Sequence, residues 1–252
     1  MTNEKSAQYW ANFYDARARR NTAGSFMRAL GYHPADGEDY DGLFKRLFGH
    51  IEQSLDLDAD HDVLDIACGY GVMTRLLGKR TAGAIGTDLT KVLLEKGAVL
   101  AQEEDLPQAR GFLQANAVAQ PFPDASFDRV LCYGMFFHLD RASAETVVAE
   151  VQRLLRPGGK ALFGDVLHPG RMHYERSYLA KVPRPLYPVL NWALRLKTWM
   201  ATASGRVVYQ AYGPSYFKRR LLPGATCVTM EGMRDGRPNN KSRYDILITL
   251  AE

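Results

Sequence analysis

A glycine-containing turn after a short apolar run carries the strongest chemical signal in this sequence. Residues 63–71 read VLDIACGYG, which predicts a strand that enters a tight turn and then a helix. Glycines let the backbone approach a ligand closely, and the first N–H groups of a helix can donate to it. Asp88 ends the next predicted strand, where a carboxylate can accept both hydroxyls of a ribose. The layout predicts a nucleoside site, although dinucleotide dehydrogenases share it.

Two residues narrow the choice of ligand. A dinucleotide fingerprint places a third glycine at position 74, where it permits close packing around a pyrophosphate, but this sequence has Thr74. Asp65 lies inside the strand just before the turn, where its carboxylate would repel a pyrophosphate and suit an ammonium or a sulfonium. The predicted ligand is cationic at one end and adenosine-like at the other, which fits S-adenosylmethionine. A nicotinamide-dependent dehydrogenase stays open from these residues alone.

The elements that must position these residues alternate between strand and helix. Strands are predicted at 61–67, 83–89, 111–117, 127–134 and 159–166, with helices at 72–80, 90–104 and 141–155. The last of these helices should stop at the run RPGG, which also predicts a turn. Such apolar strands joined by helices indicate an α/β fold with a parallel sheet covered on both faces. Residues 225–233 and 242–250 predict an antiparallel hairpin at the sheet edge.

Four motifs resemble, in order, those of the class I S-adenosylmethionine-dependent methyltransferases of the small-molecule branch. They read VLDIACGYG, GTDL, NAVAQPFPDASFDRVLC and LRPGGKALFGD, and the resemblance covers roughly residues 50–168. It implies a doubly wound, Rossmann-like sheet of seven strands, mostly parallel, with the last strand antiparallel. It also implies an enzyme that takes a methyl group from S-adenosylmethionine, releases S-adenosylhomocysteine, and acts on N or O of a small acceptor.

The resemblance assigns residues to each part of that cofactor. The methionine portion is expected against Asp65, Ala67, Gly69 and Gly71, with the Asp65 carboxylate reaching the amino group directly or through water. The nucleoside is expected against Asp88 at the ribose, Leu89 at the adenine face, and Asn116 and Ala117 at the adenine edge. The family usually has an aspartate before that alanine. The neutral amide oxygen of Asn116 accepts a weaker hydrogen bond.

An aromatic cluster lies in the first of two helices predicted before the sheet, at 6–20 and 41–56. The resemblance implies that this helix closes over the cofactor, with Tyr9 or Tyr14 donating to the methionine carboxylate. Trp10 and Phe13 are instead expected to dock an amphipathic helix onto the core.

Methyl transfer from a sulfonium is an in-line displacement, so the protein mainly aligns the acceptor and excludes water. A base is needed only for a poor nucleophile such as a hydroxyl. His138 follows the fourth strand, and we expect it to orient or deprotonate the acceptor. The resemblance places Tyr133, at the end of the same strand, near the cofactor sulfonium and the entering substrate, with core packing as the alternative. For His138 the alternative is capping of the next helix or a hydrogen bond to backbone. With Tyr14, these residues are the catalytic candidates.

A metal is not expected. His168 and His173 follow Asp165 closely, but their spacing matches no common ligand signature. The three cysteines form no CxxC pair, which argues against a zinc site and for a reducing compartment.

Residues 169–222 predict a substrate lid between a core at 57–168 and 223–252; residues 1–56 predict a helical cap. Between 171 and 222, ten Lys and Arg stand against one acid. Aromatic walls with arginine rims suit an apolar or aromatic acceptor bearing an acidic group. Within 184–202 a polar stripe opposes a wide apolar side, which predicts a helix covered by other protein or lying over an apolar pocket. The polar stripe consists of Arg184, Asn191, Arg195, Thr198 and Thr202.

Several alternatives concern partners and location. No stretch of 18 apolar residues predicts a membrane-spanning helix, and the start MTNEKSAQYW lacks a signal-peptide pattern, so a cytoplasmic protein is expected. Residues 132–135 read CYGM rather than a flipped-base motif, which argues against nucleic acid. A lipid or quinone-type methyltransferase could use 184–202 as a surface anchor. A cofactor-binding protein without catalysis and a homodimer also stay open.

Overall fold

The apolar runs form one seven-stranded sheet. The computed structural model describes residues 3–20, 32, 34–35, 37–175, 182–204, 209–232 and 240–252. The strands are β1 (Asp62–Ile66), β2 (Gly83–Asp88), β3 (Ala109–Gln114), β4 (Phe127–Tyr133), β5 (Leu155–Leu167), β6 (Thr226–Glu231) and β7 (Arg243–Thr249). Their order is β3-β2-β1-β4-β5-β7-β6, and β7 runs antiparallel to both of its neighbours. The predicted mostly parallel sheet with an antiparallel last strand is confirmed.

Helices connect the strands close to the predicted positions. They are α1 (Asn3–Arg20), α2 (Tyr40–Leu55), α3 (Val72–Gly78), α4 (Lys91–Glu103), α5 (Arg141–Leu154), α6 (Tyr187–Ala203) and α7 (Pro214–Lys218). Side-chain caps fix two of the starts, since the Asp39 carboxylate accepts from Gly42 N and the Asp140 carboxylate accepts from Ser143 N. None of the helices among the described residues has the length and hydropathy needed to cross a bilayer.

The start of β5 differs from the prediction. The strand begins at Leu155, directly after α5, instead of after the RPGG run. Leu155 is buried and pairs with Phe127, while Lys160 pairs with Arg129, so the run is accommodated as an irregularity inside the strand. The guanidinium of Arg156 within the run forms ion pairs with two carboxylates of neighbouring strand ends. The predicted turn therefore lies within the strand, because the residues on either side of it, Leu155 and Lys160, both pair with β4.

Alternate residues of the central strands enter two cores on opposite faces of the sheet. On one face, Leu64, Val130 and Phe163 pack with α5 and α7. On the other face, Val63, Leu131 and Leu162 pack with α2 and α3. Because both faces are covered, only the carboxyl-terminal edge of the parallel strands is left for a ligand site.

Helix α6 docks in the orientation opposite to that of a usual surface helix. Asn191 on its polar stripe is buried, and its amide donates to the Gly170 carbonyl oxygen at 2.6 Å. The apolar side instead faces outward, with Trp192 and Trp199 each about two thirds exposed. Trp192, Leu196 and Trp199 line a groove beside the helix, and the expectation that other protein covers this side, or that it lies over an apolar pocket, stays a prediction. Asn191 turns inward because its amide can satisfy a backbone carbonyl there, while Arg184 and Arg195 of the same stripe stay exposed.

Candidate functional site

The turn between β1 and α3 places backbone rather than side chains at the sheet edge. Ala67, Gly69 and Gly71 all adopt left-handed conformations, with φ of 60°, 60° and 73°. A Cβ at Gly71 would overlap the ring of Phe112 on β3, so that position requires glycine. The turn is thus packed against the ring of Phe112 on β3, which lies beyond β2 in the sheet.

Asp65 is a buried carboxylate at the start of this turn. It is 3% exposed and accepts a hydrogen bond from the Thr74 hydroxyl at 2.6 Å. Burial, with a smaller contribution from the negative charge of Asp88, raises the pKa of Asp65 to about 7. The Thr74 side chain fits because residue 86 on β2 is glycine: a Cβ there would lie 2.8 Å from the Thr74 oxygen.

Asp88 ends β2 beside the same turn. Its Oδ2 accepts from Gly69 N at 3.0 Å, and its Oδ1 accepts from Thr90 N at 2.8 Å. Burial raises the pKa of this carboxyl as well. The two backbone donors fix the orientation of the carboxylate, and each oxygen retains a lone pair for a ligand hydroxyl.

Two cavities lie beside this turn, and Ala67 lines both of them. The first, here the Asp88 cavity, is bordered by all four residues expected at the nucleoside: Asp88, Leu89, Asn116 and Ala117. The second, here the Asp65 cavity, is bordered by residues that include Asp65, Tyr70 and Tyr133. Asp65 and the four residues expected at the nucleoside thus border cavities on two sides of one turn, whereas Gly69 and Gly71 line neither cavity.

Tyr133 has contacts that agree with both of its predicted roles, in the site and in the core. It ends β4 and borders the Asp65 cavity. Its ring also packs on Gly164 of β5, where any Cβ would overlap it. Tyr133 thus both packs in the core and lines the Asp65 cavity.

Asn116 is partly engaged by its own loop. Its side-chain oxygen accepts from Val118 N at 3.2 Å, and its backbone oxygen accepts from Ala119 N at 2.9 Å. One lone pair of the amide oxygen is left for an adenine amino group. The assignment of Asn116 to the adenine edge stays a prediction.

Helix α1 forms part of the wall of the Asp88 cavity through Ser6, Ala7, Trp10, Ala11 and Tyr14. The Tyr14 hydroxyl lies 2.9 Å from His138 Nε2, and the Trp10 ring lies 4.0 Å from the imidazole. Lys96 of α4 donates to the Ala18 carbonyl at 2.9 Å and holds the other end of α1. Tyr9 is 48% exposed and is not among the residues that line either cavity.

His138 is a buried and neutral imidazole. Burial, followed by the positive charge of Arg243, lowers the pKa of His138 to about 3. Its Nδ1 and the indole nitrogen of Trp10 are both buried without a hydrogen-bond partner among the described residues. Burial also raises the pKa of Tyr14, so its phenol stays protonated. A histidine in this state can orient a neighbour and is a weak base.

A buried ion pair close to His138 was not predicted from the sequence. Arg243 of β7 lies 3.2 Å from the Asp165 carboxylate at the end of β5, and its guanidinium stacks 4.5 Å from the centre of the Phe137 ring. Asp165 has a φ of 59° and donates its N–H to the buried Asp245 at 2.8 Å. These partners are distant in sequence, and no local pattern signals them.

Within the described residues, no three His, Cys, Asp or Glu side chains are grouped so that they could hold a metal ion. His168 accepts from Gly170 N through its Nδ1 at 3.0 Å. The side chain of His173 lies outside the described set.

Comparison with known proteins identifies relatives of this architecture. A family model described as a methyltransferase domain matches residues 63–159. Methyltransferase GfsG of Streptomyces halstedii is 31% identical over 60% of this chain and 57% of its own length. Ubiquinone/menaquinone biosynthesis C-methyltransferase UbiE of Hahella chejuensis is 34% identical over 67% of this chain and 64% of its own length. The chain thus spans less than two thirds of either relative.

A solved structure shares the fold at low sequence identity. Phosphoethanolamine N-methyltransferase 1 of Haemonchus contortus, solved with phosphoethanolamine and S-adenosylhomocysteine, aligns with a TM-score of 0.66 at 16% identity. The alignment covers all of this chain and half of that one.

Proposed function

We propose, from the premise that residues 63–159 form a methyltransferase domain of the class I S-adenosylmethionine-dependent family, that this chain transfers a methyl group to a small molecule. The single observation that carries the proposal is the pair of buried carboxylates, Asp65 and Asp88, on opposite sides of the turn at Ala67. One suits an ammonium and the other suits a pair of ribose hydroxyls, and this combination fits the family's cofactor.

The residues present fit S-adenosylmethionine. Asp65 is buried, and no cation is among the groups that set its pKa, so a ligand ammonium would supply the missing counter-charge. The indole nitrogen of Trp10 at the Asp88 cavity is a buried donor without a partner in the described chain. Asp65, Ala67, Gly69 and Gly71 would hold the methionine portion. Asp88, Leu89, Asn116 and Ala117 would hold the nucleoside.

The cofactor supplies a methyl group that its sulfonium has already activated, so the chain's task is positioning. Helix α1 and Met135, His138 and Leu139 wall the Asp88 cavity and would shield a bound cofactor from water. Tyr133, at the boundary of the Asp65 cavity, is proposed to guide the entering acceptor. The lowered pKa of His138 makes it a weak base, so we do not propose that it deprotonates the acceptor. We propose instead that His138 orients neighbouring groups through its hydrogen bond with Tyr14.

The acceptor is proposed to be a small apolar or aromatic molecule with an acidic group, methylated at N or O under the lid 169–222. A groove beside α6 supports this assignment because aromatic rings and guanidinium groups line it together. Its walls include Trp192, Arg195, Trp199, Tyr212, Tyr216 and Arg219. Such a lining suits an apolar body with an anionic end. A quinone-type acceptor is the second candidate, favoured by the similarity to UbiE.

Ligand-induced stabilisation tests the cofactor, and product analysis tests the reaction. S-adenosylhomocysteine should raise the melting temperature while NAD leaves it unchanged, because only a ligand bound to the folded state stabilises it. Asp88→Ala should abolish the shift. Mass spectrometry of acceptor panels incubated with S-adenosylmethionine should show one added methyl group. Stabilisation by NAD in place of S-adenosylhomocysteine would refute the proposal.

A further inference from the structure

Helix α6 displays an apolar stripe to solvent. The stripe, here called the outer stripe, consists of residues that are each between 39% and 67% exposed: Val189, Trp192, Leu196, Trp199 and Met200. At about 100° per residue, these five side chains fall within a sector of roughly 100° on one side of the helix. Two of the three tryptophans of the chain lie in it. A contiguous exposed patch of this kind marks an interaction surface.

The opposite side of α6 is already used by the fold. Asn191 is 8% exposed and donates to Gly170 O, while Leu194 and Thr198 on the same side are half-buried. The outer stripe therefore cannot turn inward without breaking this docking. In most surface helices the apolar side faces the core, and here that relation is reversed.

Positive charge borders the outer stripe on both edges. On the helical projection Arg195 flanks the tryptophans on one edge and Lys197 flanks Met200 on the other, and both side chains are exposed. Arg184 precedes the helix and is exposed as well. Residues 182–204 contain no Asp or Glu. Tryptophan with flanking Lys and Arg is the composition of helices that lie at the boundary between lipid headgroups and acyl chains.

We propose that α6 docks this protein on an anionic membrane surface, with the outer stripe entering the headgroup boundary and Arg195 and Lys197 contacting lipid phosphates. This inference goes beyond the proposed function. It shares Trp192, Arg195 and Trp199 with the groove that was proposed for the acceptor, so vesicle binding is measured separately from methyl transfer. A second copy of the chain is a poorer occupant. In a two-fold symmetric contact through the outer stripe, the same cations would face each other, and α6 offers no acid to pair with them.

Vesicle co-sedimentation tests the docking. The full chain should bind mixed phosphatidylcholine–phosphatidylglycerol vesicles about tenfold or more tightly than pure phosphatidylcholine vesicles, and added salt should weaken the binding. The double variant Trp192→Ser/Trp199→Ser should lose about tenfold or more in binding to the mixed vesicles. Arg195→Gln/Lys197→Gln should reduce the preference for the anionic lipid. Brominated lipids should quench the tryptophan fluorescence of the wild type.

Val99→Ser/Val228→Ser is the matched control, because these two exposed apolar residues lie on α4 and β6 instead. It should bind vesicles as the wild type does, and circular dichroism should show all variants folded. Absence of binding to the anionic vesicles would overturn the proposal, as would equal binding by the tryptophan variant. A dimer in sedimentation velocity that the tryptophan variant abolishes would assign the outer stripe to a second copy. Failure of the proposed function would appear separately, as loss of the shift with S-adenosylhomocysteine.

Discussion

The phenol oxygen of Tyr14 lies 2.9 Å from Nε2 of His138, and this hydrogen bond joins α1 to the segment that follows β4. Both residues line the Asp88 cavity, and the Trp10 ring packs against the same imidazole. The contact bridges 124 positions of sequence, so it fixes the cap on the core at the place where the nucleoside is proposed to bind.

Tyr14→Phe should weaken binding of S-adenosylhomocysteine by roughly two- to tenfold, since a net hydrogen bond contributes about 0.5–1.5 kcal/mol. Removing the hydroxyl frees α1 from His138, and the cavity wall becomes less ordered. Isothermal titration calorimetry measures the change. Tyr9→Phe is the control, because it makes the same chemical change on the same helix at an exposed position. Loss of affinity in Tyr9→Phe would instead favour Tyr9 as the partner of the methionine carboxylate.

Asp65→Asn should stabilise the ligand-free protein at pH 8. The folded-state pKa of Asp65 is raised to about 7, so the folded state binds the extra proton between about pH 4 and 7. The free energy of unfolding of the wild type therefore falls as pH rises through that window, by up to a few kcal/mol, because each pKa unit corresponds to about 1.4 kcal/mol. Urea unfolding at pH 5 and pH 8 measures it. The exposed Asp60→Asn should show the wild-type slope.

Binding of S-adenosylhomocysteine should weaken by up to about tenfold per pH unit below pH 7. The ammonium of the ligand requires ionised Asp65, which is largely protonated there in the free protein. Titration calorimetry in buffers of different ionisation enthalpy should register the released proton. In Asp65→Asn the affinity at pH 8 should be lower by about 10- to 100-fold, the magnitude of a charge-assisted hydrogen bond, and much less dependent on pH. An unchanged pH dependence in this variant would assign the proton to Asp88.

His138→Gln should make the protein less sensitive to acid. Burial lowers the pKa of His138 to about 3, so the unfolded state binds more protons between that value and about 6.5. The free energy of unfolding of the wild type should therefore fall as pH drops through this window, and the variant should lack this contribution. Urea unfolding at pH 7 and pH 4.5 measures the difference. Turnover of the wild type should show no inflection near pH 6.5 from His138; an inflection that the variant removes would restore it as the base.

Local patterns predicted the parts of the fold that depend on neighbours in sequence. Strand β1 and the turn at Gly69 and Gly71 follow from apolar spacing and from the need for left-handed backbone. Asp65 and Asp88 could be placed at one edge because parallel strands end together there. The sequence predictions missed pairs whose members come from distant elements, such as Arg243 with Asp165 and Tyr14 with His138.

The orientation of α6 shows a second limit. Its two sides could be assigned from spacing, but which of them faces the core depends on the Gly170 carbonyl, whose position the sequence does not define. The start of β5 was misplaced for a similar reason, since Leu155 pairs with a residue of another strand.

The Thr74 side chain occupies space that is free only because residue 86 is glycine, and this pairing limits how a cofactor turn of this kind can change its ligand. A pyrophosphate-binding turn has glycine at the helix position that Thr74 holds here. In this protein the glycine is instead Gly86 on the adjacent strand, and the Thr74 hydroxyl that fills the space donates to Asp65. Thr74→Gly alone would leave a void and deprive a buried carboxylate of its donor. Conversion from a sulfonium ligand to a pyrophosphate ligand would thus require changes on both α3 and β2. Each of these changes made alone would destabilise the folded protein.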